Sequence, residues 1–313
     1  MKSRLQVRSV PLDAEAAALY RFGFHAAGAP DDPSDAPRLG VIDAPWAELW
    51  SAHGGVQRPP INEVHITRAG PLSFLRLFQA ERDDDIETAA FRAYQRLGQA
   101  LGHIGHRAQR IWNYFDRINE GRGDAERYRR FCLGRYRAIE QPGFENALPA
   151  ATVIGSQNPG LWIGCLAAPQ APVTIENPRQ TSAYRYPKTY GPVSPSFSRA
   201  VLLDDHLLVS GTASVVGFES QHPQDVRGQA AEVLRNLDAL IVQASQQIDK
   251  KTDAAPWQAK ALRLYLRHAD DANLALPVVR QALGDDVPIN VLQGEISRRE
   301  LLLEIEGVWQ QCG

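Results

Sequence analysis

The sequence predicts an α+β fold of two tandem units, each a mixed sheet covered on one face by helices. Three observations carry this. The chain has 313 residues, enough for two domains. The order helix, strand, helix, strand, strand occurs twice, with strand-like segments ahead of each first helix. A Pro-rich interruption, APQAPVTIENP at 168–178, lies between the two occurrences. The expected division is residues 1–170 for an N-terminal, structural copy and 171–313 for a C-terminal, catalytic unit.

In the first copy, SFLRLFQA reads as a strand. DDDIETAAFRAYQRLGQALGHIG follows, with Asp84 and Glu87 at capping-box spacing and Asp in place of Ser or Thr. Ile86, Ala90, Leu97, Leu101 and Ile104 keep helical spacing. RIWNYFDRI is a strand, and DAERYRRFCLGRYRAI is a second helix with Tyr128, Phe131 and Cys132 on one face. ATVIG and LWIGCLAA close the unit as strands. The first hundred residues otherwise carry little signal.

The second copy opens with AVLLDDHLLVSGTAS. Its long helix carries Val226, Ala230, Val233, Leu237, Leu240, Ile241, Ala244 and Ile248 on one stripe. In KALRLYLRHA, Leu262, Leu264 and Leu266 alternate with Arg263, Tyr265 and Arg267, the period of a strand. NLALPVVRQAL is the second helix, and INVLQG and LLLEIEG are the closing strands. Where the first copy has Gly164 the second has Glu304, so related halves imply one acid and one site.

Composition excludes several classes. A net charge of -2 is unlike a general nucleic-acid binder, so an anionic substrate needs a local cluster of Arg and Lys. Cys132, Cys165 and Cys312 form no CxxC pair and no even framework, which suits a reducing cytosol. No apolar run reaches the roughly 18–20 residues of a membrane span, and the N-terminus has no signal-peptide core. GxSxG, GxxxxGK[ST] and GxGxxG are absent, which disfavours a Ser-triad hydrolase, a nucleotide and a flavin. His103 and His106, at i and i+3, read as helix-surface residues rather than metal ligands.

Four stretches hold chemistry. ENPRQTSAYRYPKTYGPVSPSFSRAV gathers Arg179, Arg185, Lys188 and Arg199 with Tyr184, Tyr186 and Tyr190, and its prolines stiffen the loop. Arg forks and Tyr hydroxyls suit planar carboxylates, and the alternative is a soluble surface loop. In LLLEIEG, Glu304 and Glu306 share one face of a strand. That face is either solvated or lines a pocket. In a pocket, apolar surroundings and a like charge at i+2 raise a carboxyl pKa and make Glu304 a general acid. Pairing with Arg298 or Arg299 is the other reading. Ser297 precedes that strand and either bonds a ligand or ends a turn. SGTAS, 210–214, lets a ligand approach the backbone or forms a tight bend.

PSFSRAVLLDDHLLVSG is similar to the opening of Rid/YjgF-type proteins, with Phe197, Ser198, Arg199 and Ala200 on the Tyr, Ser, Gln and Ala of a GPYSQA-like segment. LLLEIEG looks like that superfamily's closing strand. NPRQTSAYRYPKTYGPVSPSFSRA, SGTASVVG and ISRRELLLEIEG, in this order, resemble the chorismatase family. The likeness runs from about residue 110 to the end of the sequence. Two departures from Rid deaminases stand out. PINVLQG lacks their carboxylate-binding Arg, and Pro195 and Ser196 replace Gly-Pro. Both disfavour imino-acid hydrolysis.

The resemblance implies two tandem Rid/YjgF-like, that is chorismate-mutase-like, units in a cytoplasmic enzyme that cleaves chorismate. Pyruvate leaves, and the ring becomes a hydroxybenzoate, chiefly the 3-isomer with some of the 4-isomer. Arg179, Tyr184, Arg185, Tyr190 and Arg199 would meet the substrate's carboxylates, beside Gly211, Thr212 and Ala213. Glu304 would protonate the enol ether, without metal or organic cofactor. Ser297 stands where members with Cys form 3-hydroxybenzoate and members with an apolar residue hydrolyse, and its hydroxyl points to the former. Rid proteins are commonly trimers, whereas two fused units permit a monomer. The rival readings are a hydrolytic chorismatase giving a diene diol, a Rid-type deaminase and a non-catalytic anion binder. None of them implies a nucleic acid or a membrane as partner.

Overall fold

A computed structural model of the chain describes all residues except 1–4, 12–17, 25–35, 52–55, 82–84, 140–143, 145–146, 158, 249–255 and 313. In chain order it forms β1 (Gln6–Pro11), β2 (Tyr20–Phe22), β3 (Gly40–Asp43), β4 (Trp46–Ser51), β5 (Val56–Ile61), β6 (Val64–Ala69), β7 (Leu72–Gln79), α1 (Ile86–Ile104), β8 (Arg107–Phe115), α2 (Arg127–Ala138), β9 (Ala150–Gly155) and β10 (Leu161–Ala168). Then come β11 (Val173–Ile175), β12 (Ala200–Leu203), β13 (His206–Ala213), β14 (Val215–Val216), β15 (Glu219–Ser220), α3 (Val226–Ile248), β16 (Trp257–Leu266), α4 (Ala272–Leu283), β17 (Ile289–Gln293) and β18 (Leu303–Gln311).

The repeated pattern in the sequence becomes a repeated sheet. One sheet has the order β5-β6-β7-β10-β8-β9 and the other β11-β12-β13-β18-β16-β17-β3. Within each, the last strand of the copy inserts at the centre, antiparallel to both neighbours, and one parallel pair closes the far side. The helices cover one face of each sheet. Ile86, Ala90, Leu97 and Leu101 of α1 pack with Phe131 of α2 over Ile111, Ile163 and Cys165. Val226, Ala230, Val233 and Leu237 of α3 pack with Val279 of α4 over Leu262, Leu264 and Ile305. The α3 stripe frays at its end, where Ile248 is exposed.

The two uncovered faces meet each other. A third core lies between them, rich in aromatics such as Trp112, Trp162, Phe22 and Phe74. The faces are tied by a hydrogen bond of 2.7 Å between the hydroxyls of Tyr114 and Tyr265. Bridges between Ala150 and Ser198 and between Gly155 and Glu295 add backbone contacts. No described helix is long and apolar enough to cross a membrane.

Several expectations need correction. The N-cap of α1 is Asp85, whose side chain accepts from the Thr88 N–H at 2.9 Å, and Asp84 lies outside the described residues. His106 is not on the helix surface. It follows the left-handed C-cap Gly105, immediately precedes β8 and is buried, which pushes its imidazole down to about 4. The poorly legible N-terminal region forms a separate sheet of order β1-β4-β2, while β3 pairs with β17 at the edge of the second sheet. These short strands alternate weakly, and long-range pairing holds them.

Candidate active site

β18 runs between β13 and β16, so its alternation places Leu303 and Ile305 under α3 and turns Glu304 and Glu306 toward the first sheet. That face is not solvated: Glu304 is 6% exposed and Glu306 2%. One register step separates two quite different carboxylates.

Glu306 is held as an anion. Arg263 Nη1 donates to it at 2.9 Å and the Tyr265 hydroxyl at 2.6 Å, and Arg110 and the Thr152 hydroxyl also donate to it. Burial opposes the charge, but Arg110 and Arg263 outweigh it and hold the carboxyl below its usual range. Arg263 is balanced in turn by Glu48 of β4, through bonds of 2.8 and 2.6 Å. A buried pair is tolerated where the remaining donors and acceptors are satisfied in this way.

Glu304 lacks such support. Burial pushes its carboxyl up to about 8, and the Glu306 anion adds to this, with Arg110 and Arg199 opposing. It is therefore mostly protonated at neutral pH. It sits beside Gly211, which has no side chain to displace it. Thr152 lies next to Gly211, and its Oγ1 accepts from the Gly211 N–H at 2.9 Å.

Glu304 forms the floor of a cavity of about 300 Å³. The first sheet contributes Ala151, Thr152 and Val153 to the wall, and the start of α2 contributes Tyr128. The 177–199 loop contributes Gln180, Tyr186, Tyr190 and Arg199, and the segment before β18 contributes Ser297, Arg298 and Arg299. Arg199 is 5% exposed, and its Nη2 donates to the Thr181 carbonyl at 2.8 Å and the Tyr186 hydroxyl at 2.7 Å. Its Nε is buried with no protein partner among the described residues. An anion is the natural occupant for such a donor. Arg298 lies 4.0 Å from the Tyr190 ring centre and 5.3 Å from that of Tyr186, a stacked cation facing the same space.

Of the residues picked from the sequence, the structure brings together Glu304, Ser297, Tyr190, Arg199, Gly211 and Ala213 around this cavity. Arg179 is elsewhere: it bonds Glu232 at 2.6 Å and Asn236 at 2.7 Å, both on α3. Tyr184 is 42% exposed and Arg185 stacks on its ring at 5.7 Å, outside the cavity lining. Two short 3₁₀ turns, Ala183–Arg185 and Lys188–Tyr190, wind the loop so that Tyr186 and Tyr190 face inward instead. Thr212 alternates away from its neighbours, and its hydroxyl bonds the Ser210 carbonyl at 2.9 Å.

Arg298 does not pair with Glu304. It donates to the Phe218 carbonyl at 2.9 Å and the Ser220 hydroxyl at 3.0 Å. Thr152 carried no local signal, and Tyr128 only that of a helix face, because only the sheet-to-sheet packing brings them here. Gly164 has no acid, and the Trp162 ring comes within 2.5 Å of where its Cβ would lie, so that space is filled.

Known proteins resemble this chain in sequence and fold. Residues 48–167 match the family model described as chorismatase FkbO/Hyg5-like, N-terminal, which extends the likeness into the poorly legible region. A 3-hydroxybenzoate synthase of Streptomyces hygroscopicus is 37% identical over 285 residues, covering 84% of this chain and 81% of that protein. A chorismatase of Streptomyces rapamycinicus is 32% identical over 279 residues, covering 85% of this chain and 83% of that one. A crystal structure of a chorismatase superposes with a TM-score of 0.83 at 26% identity, over 98% of both chains. Tandem units of one sheet order and identity of this extent lead to one conclusion: the chain belongs to the chorismatase family.

Proposed function

We propose that this chain is an enzyme that cleaves chorismate to pyruvate and a hydroxybenzoate, chiefly the 3-isomer, with Glu304 as the general acid. The observation that carries the reading is a buried, protonated carboxyl facing two arginines across one cavity. Arg199 and Arg298 take the two carboxylates of the substrate, and Tyr186 and Tyr190 frame them. Glu304 passes its proton to the enol ether methylene, giving an oxocarbenium-like side chain. The neighbouring ring hydroxyl displaces the ether oxygen, and pyruvate leaves. The attacking hydroxyl loses its proton as it closes an arene oxide. One epoxide C–O bond then opens with a proton returned to the oxygen, loss of the ring proton aromatises the product, and the net proton released restores Glu304. No water is consumed. Capture by water instead would give a dihydroxycyclohexadiene carboxylate.

The Ser297 hydroxyl on the cavity wall favours the first outcome by supplying a polar partner close to the ring. The first unit has Gly164 where the second has Glu304, so it contributes wall residues such as Thr152 and Tyr128 to this site rather than an acid of its own. Cys132, Cys165 and Cys312 are free thiols, which fits a cytoplasmic location. The test is incubation with chorismate, measuring pyruvate and identifying the ring product. An aromatic acid supports the synthase, and a diene diol supports hydrolysis. Binding without pyruvate release would reduce the protein to an anion binder.

A further inference from the structure

Arg267 stands just past the end of β16 and does not line the cavity. Its guanidinium is nonetheless committed to the cavity wall. Nε donates to the Leu301 carbonyl at 2.9 Å, and Nη2 to the carbonyls of Ile296 and Arg298, each at 2.9 Å. Nη1 donates to Asn119 Oδ1 at 2.9 Å, and Asn119 Nδ2 returns a bond of 3.1 Å to Ile296. The carbonyls before and after Ser297 thus accept from one nitrogen atom. Asn119 belongs to the connection between β8 and α2, so the first unit braces a wall of the second.

Among the described residues Arg267 forms no ion pair, and its charge is satisfied by backbone carbonyls and one amide. A planar fork with several fixed donors can hold three carbonyls at set angles, which a Lys ammonium cannot reproduce. Such a fork fixes the peptide path of a loop better than an apolar contact would.

We propose that Arg267, braced by Asn119, is a positioning residue that sets where the Ser297 hydroxyl and the Arg298 guanidinium stand over the cavity, and so governs how the cleaved ring is resolved. The inference rests on the proposed chorismate cleavage. After proton transfer, either the neighbouring ring hydroxyl displaces the ether oxygen from the ring or water captures the oxocarbenium carbon. The balance depends on polar groups within about 3 Å of the reacting carbons. Moving the 296–301 segment by an ångström changes that balance without touching the acid.

The test uses the full chain with R267K, and with N119A as a second variant that removes the brace from the other side. Pyruvate release and the composition of ring products are measured with chorismate, alongside kcat and KM. The expected result is a rise of about five-fold or more in the minor ring product per pyruvate, or a second ring product, in both variants. A merely structural role would lower the active fraction, and hence kcat, at unchanged KM and product composition. Unchanged composition in both variants overturns the positioning role while leaving the cleavage reading intact. Absence of pyruvate from the unaltered protein overturns both.

Discussion

A Cβ at position 211 would lie 1.7 Å from Oε1 of Glu304, so the carboxyl occupies the volume that a side chain at Gly211 would need. The backbone of β13 and the acid of β18 are cross-strand neighbours, and the vacancy on one defines the place of the other. G211A should therefore displace Glu304 and lower kcat/KM by about 100-fold, the scale of a 1 Å misplacement. Steady-state pyruvate release measures this, and near-normal activity would show that the carboxyl needs no such seat.

Changing Glu304 to Gln keeps its shape and removes its proton. Pyruvate release should fall to background, and the variant should gain stability relative to the unaltered protein as pH rises. The sign follows from the raised pKa of about 8: the folded state binds the proton more tightly than the unfolded one. Stability from this group is thus complete below the unfolded value and is lost as pH rises toward 8, at up to about 1.4 kcal/mol per pH unit. The Tm of E304Q minus that of the unaltered protein should grow between pH 5 and pH 8. A constant difference would argue against a protonated carboxyl.

The rate itself should show an alkaline limb near the pKa of about 8. Glu306 helps to set it. E306Q removes a neighbouring anion and leaves Arg110 and Arg263 less compensated, and both effects favour ionisation of Glu304. The alkaline limb of kcat should move to lower pH, with a loss of stability of about 3–5 kcal/mol from the broken buried pairs. A limb that stays in place would uncouple the two carboxyls.

Arg199 presents a buried Nε with no protein partner among the described residues, and its fork already holds Tyr186. R199K retains charge but not the fork. A charge-assisted bond is worth about 1.5–3 kcal/mol, so kcat/KM should fall by roughly 10- to 100-fold. Substrate titration locates the loss, which should fall chiefly on KM. An unchanged KM would remove Arg199 from carboxylate binding.

Thr152 accepts from Gly211 and Arg110 and donates to Glu306. T152V matches its volume and leaves those groups short of a partner. Denaturant unfolding should show a loss of about 1–3 kcal/mol. No loss would mean that the hydroxyl is dispensable to the sheet contact.

Much of the architecture was legible locally. The 3.6-residue stripes of α1 and α3 and the alternation in β16 placed Leu262, Leu264 and Leu266 under the helices, where they lie. The same alternation said only that Arg263, Tyr265, Glu304 and Glu306 share the opposite face. Whether that face met water or a second sheet was not written in either strand. The loop rich in Arg and Tyr was visible as a composition, but two 3₁₀ turns decided that Tyr186, Tyr190 and Arg199 face the cavity while Tyr184 and Arg185 do not.

The sequence by itself determined the two repeated units, the pairing of two carboxylates on one strand face and the absence of an acid at Gly164, because periodicity and identity are local properties of the chain. Only the tertiary structure decided which carboxylate is acid and which is anion. Arg110, Thr152 and Arg263 come from strands distant in sequence, and their charges and hydrogen bonds settle on Glu306, with Glu48 balancing Arg263, leaving the buried Glu304 to keep its proton at the cavity.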